Sequence, residues 1–207
     1  MKKLMLSWTL VLAVAGLTLM SCGKDKDDNK PNDPNVGTVK DERDQIVYKT
    51  IKIGNQTWFA ENLKYNGALS SGSSFDPYGS QDSTAKYGKL YTLDAAKIAC
   101  PNGWHLPTDE NWRLLEHNLG MSNLDTTKTG DGIERGADAA VGIKLQKGGT
   151  SGFDIVVKPS ESEEEVWTAS SNSNGKIYTR IFKKNDGSVY RYLNGSGATI
   201  CVRCLKD

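Results

Sequence analysis

Four cysteines, two histidines, a glutamate run and a scatter of aromatic side chains are the residues with chemistry to offer. Cys201-Val202-Arg203-Cys204 has C-x-x-C spacing. Thiol exchange at such a pair needs a helix N-terminus to lower the thiolate pKa, whereas this pair lies in a β-type segment. His105 and His117 lack the close, repeated spacing that a zinc site uses, which leaves them structural or surface roles. Asp154 and Glu161-Ser162-Glu163-Glu164-Glu165 supply oxygens but no alternating oxygen-ligand loop, so a solvated acidic loop is the reading in place of calcium. There is no G-x-S-x-G elbow and no placeable nucleophile with its base. The sequence therefore predicts no catalytic residue, no metal and no cofactor. Trp58, Trp104, Trp112 and Trp167, with Tyr87, Tyr91, Tyr178, Tyr190 and Tyr192, have faces on which sugars stack, but large aromatics mostly fill cores. Trp167 and Tyr192 are the two retained as ligand contacts.

What precedes the folded part is an export device. Lys2 and Lys3 are followed by an apolar run, Leu4 to Met20, which has the plan of a signal peptide over residues 1–21 and is too short and too soon charged for a spanning helix. Leu19-Met20-Ser21-Cys22 resembles the lipobox of bacterial lipoproteins, which implies lipid on Cys22. Each buried methylene adds about 0.8 kcal/mol of membrane affinity, so several acyl chains anchor firmly. Gly23 stands where an inner-membrane retention signal has aspartate, and Lys24-Asp25-Lys26-Asp27-Asp28 looks like an export tag, which together imply an outer-membrane, surface-exposed protein. Removing Lys2 and Lys3 from 26 basic residues leaves 24 against 25 acidic ones. That scattered balance gives no basic face for nucleic acid.

From Cys22 to Asp44 the chain is polar and proline-bearing and reads as a disordered tether, with the domain occupying residues 45–207. Ile46, Tyr48, Ile51 and Ile53 begin a strand that ends at Gly54-Asn55, and Gln56 to Leu63 reads as a second. Asn66 to Lys86 is a Ser/Gly/Asp-rich surface loop pinned by Phe75 and Tyr78. Thr92 to Ala99 reads as a helix. A second helix starts at the N-cap Thr108, with Trp112, Leu115 and Leu119 on one face and Gly120 closing it. Met121 to Gly142 is another loop. Strands follow at Phe153 to Val157, Val166 to Ala169, Lys176 to Lys183, Ser188 to Leu193 and Thr199 to Leu205, with Asn185-Asp186-Gly187 as a hairpin turn. Helices early and strands late argue an α+β fold, two helices packed on a mostly antiparallel sheet.

Three cysteines remain beyond Cys22, so an exported chain should hold one disulfide and one odd thiol. Period-two alternation sets Ile200, Val202 and Cys204 on one face of the last strand and Cys201 and Arg203 on the other. Cys100 ends an apolar helix face, which pairs it with Cys204 and leaves the state of Cys201 open.

Four ordered segments carry a resemblance. Ile53 to Leu63 (IGNQTWFAENL), Tyr87 to Tyr91 (YGKLY), Cys100 to Thr108 (CPNGWHLPT) and Val202 to Asp207 (VRCLKD), with a looser match at Trp167 to Ser171, resemble the Fibrobacter succinogenes major paralogous (FISUMP) domain. Cys201 departs from that pattern, which more often has a small polar residue there. The resemblance implies a secreted or surface lipoprotein module with no established catalysis. Trp104 to Thr108 with Trp112 also resembles a segment of sulfatase-modifying enzymes, and by analogy implies a C-type-lectin-like fold, although fold does not carry function. Asp82-Ser83-Thr84 and Asp125-Thr126-Thr127 resemble bacterial O-glycosylation acceptors, with Ser83 and Thr126 as the acceptors. The expected function is a lipid-anchored binding or adhesion module whose ligand, a glycan or a cell-surface protein, meets the loops at Asn66 to Lys86 and Met121 to Gly142. The competing readings are a structural envelope lipoprotein and an enzyme of the sulfatase-modifying-factor-like fold.

Overall fold

Alternating apolar residues and a tight turn build the first hairpin. Val47–Ile53 (β2) and Gln56–Phe59 (β3) pair antiparallel across Gly54-Asn55. Gly54 has φ 59°, and a Cβ there would strike the Asn118 side chain at 2.3 Å, so only glycine fits the turn. In this computed structural model residues 33–130 and 133–207 are described, and the leader, Cys22 and the tether to residue 32 lie outside them. The tether reading extends too far, because Val36–Lys40 is a strand (β1) paired along its whole length with β2. Polar composition hides it: only Val36 and Val39 are apolar, and the strand is held by backbone hydrogen bonds to an edge rather than by a buried face.

The remaining elements follow in order. The Asn66 to Lys86 segment is structured, with Ser74–Phe75 (β4), a 3-10 turn at Pro77–Gly79 and Gln81–Tyr87 (α1). Next come Leu90–Thr92 (β5), Leu93–Ala99 (α2), Trp104–His105 (β6) and Asp109–Asn118 (α3). Asn123–Thr127 (α4) and Val141–Leu145 (α5) occupy the second predicted loop. Glu163–Ser171 (β7), Ile177–Lys183 (β8) and Tyr190–Asn194 (β9) form the late meander, and Thr199–Ile200 (β10) and Leu205–Lys206 (β11) close the chain. The fold is α+β, but it has five α-helices among the described residues in place of two, and three small sheets in place of one. Their orders are β1-β2-β3-β11-β6, β10-β5-β4 and β7-β8-β9, with every ladder antiparallel.

Two predicted strands are not continuous. Around Phe153 to Val157 only Ile155 pairs, through an isolated bridge to Gln146. The Thr199 to Leu205 segment is divided between sheets. β10 pairs with β5, Cys201 bridges Val166 of β7, and β11 pairs with both β3 and β6. The last eight residues thus touch all three sheets, and Ile200 through Leu205 are buried whichever way their side chains point.

Helix α3 follows the sequence closely. Thr108 Oγ1 accepts from the Asn111 amide at 3.2 Å while Asn111 Oδ1 accepts from the Thr108 amide at 2.8 Å, a reciprocal capping box. Its apolar stripe, Trp112 and Leu115, enters a core with Ile51, Ile53, Trp58, Phe153, Phe182 and Leu205. A second core, on the other side of the first sheet, gathers Tyr48, Phe59, Tyr91, the α2 alanines, Trp167 and Cys204. The Cys100–Cys204 disulfide expected from the sequence is formed in this core, with a Cα–Cα distance of 5.8 Å.

That bond closes a span of 104 residues. By chain entropy, reduction should cost up to about 4 to 5 kcal/mol. We expect the urea midpoint of the wild type to fall on adding reductant, and a Cys100→Ser/Cys204→Ser variant to show a low midpoint that reductant does not change.

Candidate functional site

The domain buries groups of charged side chains and carries aromatic side chains at two of its surface clefts. In the first group Arg180 donates to Glu116 Oε1 at 2.5 Å and to Asp109 Oδ1 at 2.9 Å, Arg191 binds Asp109 through both carboxylate oxygens, and Arg135 pairs with Glu116. All five side chains are buried or nearly so. Burial by itself raises the Asp109 carboxyl, but hydrogen bonds and charge from Arg191 and Arg180 outweigh it and hold the group below the usual carboxylate range. Arg135 also donates to the carbonyl of Asp125, as Arg191 does to that of Thr127. These bonds fasten the Met121 to Gly142 segment to the domain, an organisation that no local pattern in that segment signals.

Arg203 is a further buried arginine. Its guanidinium has no carboxylate partner among the described residues and instead donates to Asn62 Oδ1 at 2.7 Å and to the carbonyls of Phe59, Phe153 and Asp154. Burial lowers it to about 10, so it stays charged at neutral pH. It locks the C-terminal strand to two loops and offers nothing to a ligand.

Cys201 is a free, fully buried thiol. It donates to Glu164 Oε1 at 2.7 Å, and Lys158 binds the other oxygen of the same carboxylate. A sulfur beside a carboxylate has the outline of a nucleophile with its base. Burial, reinforced by the Glu164 charge, nevertheless pushes the thiol well above its ordinary range, so it is protonated and unreactive. Cys201 and Cys204 do not bridge each other, since Cys204 is joined to Cys100.

The two predicted ligand contacts separate. Trp167 is 0% exposed and its Nε1 donates to the Tyr91 carbonyl at 2.8 Å, so it is a core residue with its polar atom used internally. That corrects the sequence reading: alternation in β7 places Trp167 on the outer face of the third sheet, but β10 and its connections cover that end of the face. Tyr192 stays partly exposed and lines a cleft of about 280 Å³ on the outer face of the same sheet with Glu163, Glu165, Ile181, Lys183 and Tyr190. Gly130 brings the second predicted loop to the rim of this cleft. His105 bonds Asp207 at the surface and His117 bonds the Met121 carbonyl, and among the described residues no cluster of metal ligands forms. Of the two glycosylation acceptors, Thr126 is buried and its hydroxyl donates to the Asn123 carbonyl, which removes it as an acceptor, whereas Ser83 faces a groove.

That groove, of about 360 Å³, lies in the first predicted loop. Tyr78 and Tyr87 form its aromatic walls, with ring centroids 6.5 Å apart and planes at 90°. Pro159 and Ser160 close the far side, and Asp82, Ser83 and Lys86 of α1 supply polar groups. Tyr78 is held in the left-handed region, φ 55° and ψ 18°, and the residue is 55% exposed. The Asp76 carboxylate anchors the turn by accepting from Lys89 Nζ and Thr84 Oγ1, each at 2.6 Å, and the Tyr78 hydroxyl lies 2.6 Å from Ser160 Oγ. Sequence reasoning placed Tyr78 in the loop as a pin; its outward display follows from the backbone conformation, which composition does not encode.

The described residues form a disulfide-stapled α+β domain with a closed charged interior and open aromatic clefts. Residues 51–206 match the Fibrobacter succinogenes major domain, and the chain belongs to that family. No match is found among curated proteins or among solved structures.

Replacing Arg180 by Met should destabilise the domain by up to about 3 to 5 kcal/mol, since it leaves buried Glu116 with Arg135 alone and buried Asp109 with Arg191 alone. The exposed-pair control Arg113→Met should change stability by less than about 1 kcal/mol. Because Asp109 titrates below its unfolded value, its contribution is present above about pH 4 and is lost as the pH falls through the folded pKa. Acid unfolding should therefore be steep in the wild type and flatter in Asp109→Asn, as followed by circular dichroism.

Proposed function

We propose that this protein is a lipid-anchored, surface-displayed binding module and that the Tyr78 groove receives a glycan. One observation carries the reading. A non-glycine residue in the left-handed region costs about 1 kcal/mol or more, and exposing an aromatic ring forgoes the burial that normally offsets such a cost. Tyr78 does both, while Asp76, Lys89 and Thr84 hold the turn in place. Strain at a ring that stays half exposed, despite its edge contact with Tyr87 and its hydroxyl's bond to Ser160, is accounted for if the open face contacts something outside the chain.

The chemistry of the groove suits a sugar. The C–H face of a pyranose packs on an aromatic ring, and Asp82, Ser83 and Lys86 offer acceptors and donors to its hydroxyls from one helix. A volume of about 360 Å³ accommodates one or two sugar rings rather than a long chain. The same reading takes the domain as C-type-lectin-like by analogy. It also takes Cys22 as the acylated N-terminus that ties the module to the outer membrane.

Substituting Tyr78 by Gly separates function from stability. Glycine accepts the positive φ without strain, so the variant should unfold at the same or a slightly higher temperature, yet lose glycan-array binding. Retained binding would dismiss the groove, and no binding by the wild type to any array glycan would dismiss the ligand class. The anchor is checked separately: mass spectrometry of the native protein should find a leaderless chain acylated at Cys22, and proteinase treatment of intact cells should remove the domain. An unacylated chain with its leader attached would remove the membrane from the account.

A further inference from the structure

The outer face of the third sheet carries a second cleft whose chemistry differs from that of the Tyr78 groove. Strand register explains its composition. Glu163 lies opposite Lys183, Glu165 opposite Ile181 and Ile181 opposite Tyr190, and Thr179 opposite Tyr192, so these side chains share the outward face. The inward face of the same strands holds Glu164, Val166, Arg180, Phe182 and Arg191. Opposite charges directly across an antiparallel pair normally bond each other. Here they do not: among the described residues no ion pair joins Glu163 to Lys183, and the Lys183 ammonium sits 4.0 Å from the centre of the Tyr190 ring. The chain itself thus shows an ammonium resting on this aromatic surface.

Glu165 is built for a ligand in a second way. Its Oε1 accepts from Thr179 Oγ1 at 2.6 Å and from Asn194 Nδ2 at 3.0 Å, and its Oε2 accepts from Asn194 at 3.1 Å. A carboxylate has about four lone-pair positions, so these bonds fix its orientation and leave one on Oε2 open. Thr179 is the cross-strand partner of Tyr192, and Asn194 lies two residues beyond it on the same face, which sets the oriented carboxylate beside the Tyr192 ring. A cation between a carboxylate oxygen and an aromatic face gains from both at once.

From this arrangement we infer that the cleft formed by Glu163, Glu165, Ile181, Tyr190 and Tyr192 binds the ammonium group of a small amine. The two carboxylates outnumber the single ammonium of Lys183, which draws cations in and turns anionic ligands away. Ile181 supplies an apolar floor for the methylenes that carry the ammonium. The cleft volume, about 280 Å³, sets the size class at an aliphatic amine or diamine. This inference stands apart from the glycan reading: it uses different residues, a different sheet and a different ligand.

The test is a titration of the full purified chain with cadaverine and, in parallel, with 1,5-pentanediol, which has the same length and no charge, followed by nitrogen-15 NMR. Cadaverine should give saturable shifts centred on Ile181, Tyr190 and Tyr192, and the diol should not. Glu165→Gln should weaken binding about tenfold or more, and Tyr192→Leu about two- to fivefold. Glu163→Gln removes a carboxylate whose loss leaves the described hydrogen bonds intact, so it keeps the test valid if Glu165→Gln fails to fold, and it too should weaken binding. Tyr78→Gly should bind cadaverine as the wild type does, which separates this site from the glycan groove. Equal shifts with the diol, or unchanged cadaverine affinity in both glutamate variants, would overturn the inference.

Discussion

The domain depends on its last eight residues being accepted by three sheets at once. The Cys201 carbonyl takes the Trp167 amide of the third sheet, those of Val202 and Cys204 take the Leu63 and Phe59 amides of the first, and β10 pairs with the second. Ile200 through Leu205 are also buried whichever face they take, so alternation of apolar and polar residues does not hold there. The arginine in this stretch is therefore satisfied by carbonyls, the odd thiol by a carboxylate, and Cys204 by a covalent bond. Without this segment the three sheets would share few backbone contacts.

The buried arginines extend the same logic to the loops. Arg135, Arg180 and Arg191 meet Asp109 and Glu116 of α3, and their remaining donors take loop carbonyls such as those of Asp125 and Thr127. Guanidinium suits this task because its donors lie in a fixed fork that can serve a carboxylate and a backbone oxygen together. Such a network contributes less to stability than an apolar core of equal volume. What it provides here is geometry, since the capped first turn of α3 becomes the point from which the third sheet and the 121–142 segment are both positioned. The outer face of that sheet is then free to carry Tyr192 and Glu165.

The division between interior and surface chemistry is consistent through the molecule. Cys201 and Arg203, both with strongly shifted titration, are buried and engaged by neighbouring groups of the chain. The groups left open, Tyr78 and Tyr87 in one cleft and Tyr192 and Glu163 in the other, lie at the surface on scaffolding fixed from beneath. That pattern is what the proposed binding role would use, since rigid aromatic surfaces lose little conformational freedom on contact.

Local signals in the sequence determined much of this. The Thr108 cap and the Trp112 and Leu115 stripe set α3, the Gly54-Asn55 turn set the first hairpin, and four spaced motifs set the family, because each depends on neighbours within a few residues. The Cys100 to Cys204 pairing was legible from the same kind of argument, one apolar helix face and one inward strand face. Strand β1, the division of Thr199 to Leu205 among sheets, the burial of Trp167 and the outward turn of Tyr78 were decided only in three dimensions. In each of these a partner outside the segment's own local pattern supplies the hydrogen bond, the cover or the backbone constraint. A residue's period along its own strand says which face it takes, but only the assembled sheets say whether that face meets water.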